Sequence, residues 1–155
     1  MNNTNKIKSI LALIAIMFFS VSAKIETKTA KQDEICERVI KYYVKSGKEG
    51  DKEFKLNAVI TVNPINLINV DMEIPNQPKT NFDIIIESAD CDLNTELTKG
   101  TALYKGYVKH ENGDATNSVI KISRDDKGKL TISNADPELP KGLTLYVDKW
   151  EVFNN

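Results

Sequence analysis

The chain is short of most of the residues from which chemistry is built. One histidine and two cysteines cannot supply the roughly four ligands of a histidine- or cysteine-based structural zinc site. There is no Gly-x-Ser-x-Gly elbow and no glycine-rich phosphate loop, and the seven glycines fall mainly at connectors and turns. The usual nucleophile and nucleotide-binding motifs are therefore excluded. Positive charge is not in excess either, with 21 basic residues against 22 acidic ones. Nucleic acid and anionic membrane surfaces both call for concentrated positive charge, so neither is an expected partner. No Asn-x-Ser/Thr acceptor follows residue 23. Long apolar runs are missing everywhere except at the start.

That start has the three-part form of a secretory signal. Lys6 and Lys8 precede an apolar run from Ile10 to Phe19, and Ser20-Val21-Ser22-Ala23 ends it with small residues. The run is too short to span a bilayer, and cleavage is expected after Ala23. Lys24 stands where a lipid-anchored protein would carry cysteine, so soluble export, to the periplasm or the medium, is the expectation, with no membrane insertion after cleavage. Residues 24–155 then form a single globular domain. Removing the leader takes two lysines and no acid, leaving 19 basic and 22 acidic residues and a net charge of −3.

Cys36 and Cys91 both lie in the exported part, where disulfides persist, and a bridge between them is expected. It closes a loop worth about 4 kcal/mol by chain entropy.

From Thr29 the pattern reads as helical. Ile35, Cys36, Val39, Ile40, Tyr43 and Val44 form one stripe; Asp33, Glu34, Glu37, Arg38, Lys41 and Lys45 take the other side, and only Tyr42 breaks the separation. Thr29 and Gln32 fit a capping box and Gly47 a C-terminal stop. The run Ser46–Lys55 reads as a charged, solvated connector. Strands follow at Phe54–Val62, Ile68–Ile74, Phe82–Glu87, Ala102–Lys109, Asn117–Ser123 and Lys129–Ser133, with turns at Asn112-Gly113 and Asp126-Lys127-Gly128. A last strand, Leu143–Phe153, has apolar residues on both alternate sets, and Trp150 is expected to be its largest core contributor. The predicted fold is α+β: one N-terminal helix packed on a curved antiparallel β-meander of about seven strands.

Candidate chemistry is sparse. Asp90, Asp92, Asn94 and Glu96 alternate as oxygens do at the start of a calcium loop, but Thr95 stands where the sharp turn wants glycine and Thr101 where a bidentate glutamate belongs. Calcium is thus the one metal the sequence suggests, and no cofactor is expected. His110, at a tight turn beside Glu111, or else a buried carboxylate, could serve as the general base of a small pocket enzyme, with Tyr104 or Tyr107. Tyr104 and Tyr107 bracket Gly106 in one strand, Tyr146 and Trp150 lie in the last, and Leu139 sits in a proline-rich loop. If Gly106 permits a bend, these side chains line a concave face for a ligand. The functional expectation is an exported non-catalytic binding module for a protein or small-molecule partner, of the immunity or inhibitor type, using that concave face or the loops at 75–81, 90–100 and 134–142. The pocket enzyme is the alternative.

Export with cleavage after Ala23 predicts a mature terminus of Lys24-Ile25-Glu26. N-terminal sequencing of the exported protein checks it, and an exported chain still beginning at Met1 contradicts it.

Overall fold

The computed structural model describes residues 35–136 and 142–153. The proposed leader, Thr29, Gln32 and Leu139 lie outside the described residues. The architecture is a closed eight-stranded antiparallel barrel in which every strand pairs with its sequence neighbours and the first pairs with the last. A three-residue 3-10 turn, Ile35–Glu37, leads into β1 (Val39–Glu49), β2 (Lys52–Asn63), β3 (Leu67–Glu73) and β4 (Thr80–Cys91). β5 (Thr101–Lys109), β6 (Ala115–Arg124), β7 (Leu130–Asn134) and β8 (Leu143–Phe153) complete the circuit.

The expected N-terminal helix is not there, so the fold is all-β and not α+β. Residues 39–49 form β1, hydrogen-bonded to β2 on one side and to β8 on the other. The physical reason lies in the residues themselves. Val39, Ile40, Tyr42, Tyr43 and Val44 are β-branched or aromatic, which favours a pleated half-buried surface over a helix. Tyr42, the residue that spoils the helical stripe, is 1% exposed, and Ile40 and Val44 beside it on the same face are buried too. Lys41 and Tyr43 face outward, which is a period of two. The predicted connector Ser46–Lys55 is a β-hairpin turning at Gly50 and Asp51, with Gly50 at φ 58°. Gly47 is not a helix stop but a strand residue opposite Phe54 and Leu145. A β-carbon there would come within 2.9 Å of the Leu145 side chain and 3.0 Å of Phe54.

The seven strands expected from alternation are all present, and the helix's place is taken by an eighth. Closure of so small a barrel requires sharp local curvature, which β-bulges supply. One interrupts the β1 register at Lys45 and another the β8 register at Asp148. The two bulged residues face each other as an ion pair at 3.1 Å. A third falls at Glu87 in β4, beside Gly106 of β5. There a β-carbon would lie 2.0 Å from the Ile85 carbonyl oxygen, so only glycine admits the close approach.

The interior is apolar. Ile40, Tyr42, Val44, Leu56, Ile60, Val62, Ile68, Ile84, Tyr104, Ile122 and Ile132 are all buried. The outward face carries Lys41, Lys55, Asn69, Asp71, Asp83, Lys105 and Lys121, with Asn69 donating to Asp83 across β3 and β4 at 2.8 Å. Trp150 does not serve the core as expected: it is 37% exposed, with Val152 at 37% and Phe153 at 40%. β7 begins only at Leu130 and pairs with β8 no further than Tyr146. Among the described residues, β8 beyond Val147 pairs with β1 alone, so this end of the strand is covered on one edge only.

Burial raises the ionisation of two phenols. Tyr104 is pushed up to about 12 by desolvation. Tyr42 is pushed up further by the same cause, with the nearby Tyr104 adding to it. Because both are raised above the unfolded value near 10, the contribution of each to stability is complete below pH 10; that of Tyr104 is lost as the pH climbs through about 12, and that of Tyr42 at higher pH still. Absorbance titration at alkaline pH should therefore show two tyrosines that ionise only together with loss of the barrel's circular dichroism. Smooth ionisation of all five near pH 10 would contradict this packing.

Candidate functional site

The two ends of the barrel are built differently. At one end the β4–β5 connection, residues 92–100, folds inward as a plug. Its Leu93 and Leu97 are 2% and 0% exposed. The loop is held from within: Asn94 Oδ1 accepts from the Thr98 and Lys99 amides at 2.8 and 2.9 Å, and Asp92 Oδ1 accepts from the Thr101 amide. Leu97 adopts a left-handed φ of 52°, which turns its side chain under the barrel. From the wall, Arg124 Nε donates to the Leu97 carbonyl at 2.8 Å, and its guanidinium also reaches the Gly128 carbonyl in the β6–β7 turn.

The Cys36–Cys91 disulfide expected from the sequence is present at this closed end, with a Cα–Cα distance of 5.9 Å. Cys91 is the last residue of β4 and opens the plug, while Cys36 lies in the 3-10 turn just before β1. The bridge thus ties the entry to the first strand to the base of the plug. It joins the 3-10 turn before β1 to the end of β4, not the expected α-helix to a sheet.

The other end holds a cavity of about 290 Å³. Its floor is made by Ile60, Ile68, Ile84, Ile120, Ile132 and Leu145, and its walls by Val70, Met72, Phe82 and Val108. Thr116, Asn117, Ser118, Ser133, Asn134 and Leu143 complete the lining towards the open end. Alternation along the strands explains the division. Thr116 pairs with Val108, Ser118 with Gly106 and Asn134 with Ile120, so these three polar residues share the inward face with apolar partners. No charged side chain lines the cavity among the described residues.

The residues singled out from sequence are placed as follows. Tyr104 points inward but belongs to the packed core and does not line the cavity. Tyr107 and Tyr146 lie on the outward parity, Tyr146 beneath the Lys129 ammonium at 4.3 Å. Trp150 is at the closed end, so these aromatics do not converge. Gly106 does accompany a bend, at the β4 bulge, but the concave surface it helps to form is the barrel interior. His110 stands exposed on the β5–β6 turn, its Nε2 2.8 Å from Thr116 Oγ1. It neighbours the cavity's rim without lining it. Asp90 is an exposed strand residue opposite Leu103, while Asp92 and Asn94 direct oxygens at backbone amides of their own loop. Glu96 is exposed. Among the described residues, no three acidic, cysteine or histidine side chains gather to hold a metal ion. Of the three expected loops, 75–81 and the described part of 134–142 flank the open end, and 90–100 forms the plug.

The cavity residues themselves were not singled out by sequence. The signal was available in the inward-facing set Val70, Met72, Phe82 and Val108, but alternation does not say which inward positions pack and which surround space. No protein-family model, curated protein or solved structure matches the chain.

Since the disulfide anchors the plug, replacing both Cys36 and Cys91 by alanine should lower unfolding stability by about 2–4 kcal/mol in a denaturant titration. A change below about 0.5 kcal/mol would show that the plug and the 3-10 turn are held without it.

Proposed function

We propose that this protein is an exported, non-catalytic binding protein that holds a small ligand in the open half of its barrel. The observation that carries the proposal is the cavity: about 290 Å³, walled by aliphatic and aromatic side chains and free of charged groups among its described lining. Eight-stranded barrels have room for either packed side chains or one small ligand. Here the plugged half takes the first course and the open half the second. A concave apolar site with a few polar groups is the general form of a small-molecule site.

Export is supported by the leader at residues 1–23 and by the Cys36–Cys91 bridge, which belongs to an oxidising compartment. The polar outward face supports a barrel standing in water. A lipid-embedded barrel has the reverse pattern, with apolar residues outside and polar ones within. The pocket-enzyme reading has less to stand on. Its histidine is at the solvent-exposed tip of a hairpin, and no carboxylate lines the cavity among the described residues.

The test is binding of an environment-sensitive apolar fluorophore such as N-phenyl-1-naphthylamine to the purified protein. Saturable enhancement with one site per chain is expected, and Val108→Trp, which fills the mouth from a partly exposed position, should abolish it while leaving circular dichroism unchanged. An absence of saturable binding, or a Val108→Trp protein that binds as well as the parent, overturns the proposal.

A further inference from the structure

Resting on that reading, we infer that the ligand is a compact neutral molecule, one or two rings or a short acyl chain, with a single hydrogen-bonding group turned to the open end. Three observations define this class.

The first is size. A dry apolar cavity of about 150 Å³ accommodates benzene. The space here, about 290 Å³, is roughly twice that. It suits a two-ring molecule and ends on the aliphatic floor of Ile60, Ile68, Ile84, Ile120, Ile132 and Leu145. A long acyl chain would have to displace the packed layer of Val62, Ile122 and Leu130, each no more than 2% exposed.

The second is charge. A carboxylate or ammonium carried into the cavity would lose its water and meet no opposite charge among the described lining residues. Uncompensated burial of an ion is among the largest penalties in protein chemistry, and such a ligand would neutralise or stay out.

The third is the axial arrangement of polarity. The floor is wholly aliphatic, while Thr116, Ser118 and Asn134 sit on the inward face near the open end. Ser118 is itself 8% exposed, opposite Gly106. Ser118 lines the cavity directly, so a ligand group can approach its hydroxyl. A hydroxyl, carbonyl or amide there finds a partner that a purely hydrocarbon ligand leaves unused. A site of this form rejects a ligand of the wrong charge more strongly than one that merely lacks the polar group.

Calorimetry of the disulfide-bonded protein at pH 7 with naphthalene, 1-naphthol and 1-naphthoate tests the inference. The three probes share a ring system and differ at one substituent. We expect 1-naphthol to bind tightest and 1-naphthoate at least about 100-fold more weakly, from the cost of burying its charge. Ser118→Val should weaken 1-naphthol by about tenfold, the worth of one hydrogen bond, and leave naphthalene unchanged. Should that variant fail to fold, Thr116→Val, at an exposed mouth position, is expected to act in the same sense. Naphthoate binding as tightly as naphthol overturns the neutral-ligand inference while leaving the binding reading intact. Equal naphthol affinity in the parent and in both hydroxyl variants overturns the assignment of the polar end. Failure of all three probes, together with failure of the fluorophore, removes the binding reading itself.

Discussion

The pairing of the first strand with the last is the constraint on which everything else depends. β1 runs antiparallel to β8 from Val39 opposite Phe153 to Glu49 opposite Leu143. Without it, the eight strands would form an open sheet with unpaired backbone at both edges. With it, every strand has a hydrogen-bonded neighbour on each side for at least part of its length and the apolar face becomes an interior. The bulges at Lys45 and Asp148 fall within this same seam. Their exposed ion pair adds little energy by itself, but the extra residues bend the two strands where the ring must close.

Closure also determines what the interior can be. An eight-stranded barrel is just wide enough to be filled by side chains, so any space within it must be made by leaving some positions small or short. The plug fills one half with Leu93 and Leu97, clamped by Arg124 and tied back to β1 by the disulfide. In the other half, the small side chains of Ser118 and Thr116 are among those that line the space. The same polypeptide thus holds a packed, desolvated end and an open end that encloses the cavity.

Much of the sheet was legible in the sequence and the decisive element was not. Alternation located seven strands, and the turns at Asn112-Gly113 and Gly128 carry the positive φ their residues suggest. The cysteines were paired correctly from their compartment. Residues 35–45 satisfy two periods at once, because Ile35, Val39, Ile40, Tyr43 and Val44 fit a helical stripe while Ile40, Tyr42 and Val44 fit a strand. Tyr42 separates the two: a helix would turn it to the charged side, and in the barrel it is among the most buried side chains. Local pattern could not weigh the non-local gain of pairing with β8, more than a hundred residues away. The site was missed for a related reason. The aromatics chosen from sequence were outward, like Tyr107 and Tyr146, at the closed end, like Trp150, or packed, like Tyr104. Which inward residues border space depends on where the plug ends along the axis, and no single strand records that.

The most direct measurement of the central claim is a set of cross-strand nuclear Overhauser contacts in solution between residues 39–49 and 143–153. The account predicts backbone contacts between Tyr42 and Trp150 and between Tyr43 and Lys149, the opposing residues of the seam, together with extended couplings throughout 39–49. Sequential helical contacts across that segment, with no contact to the last strand, would contradict it.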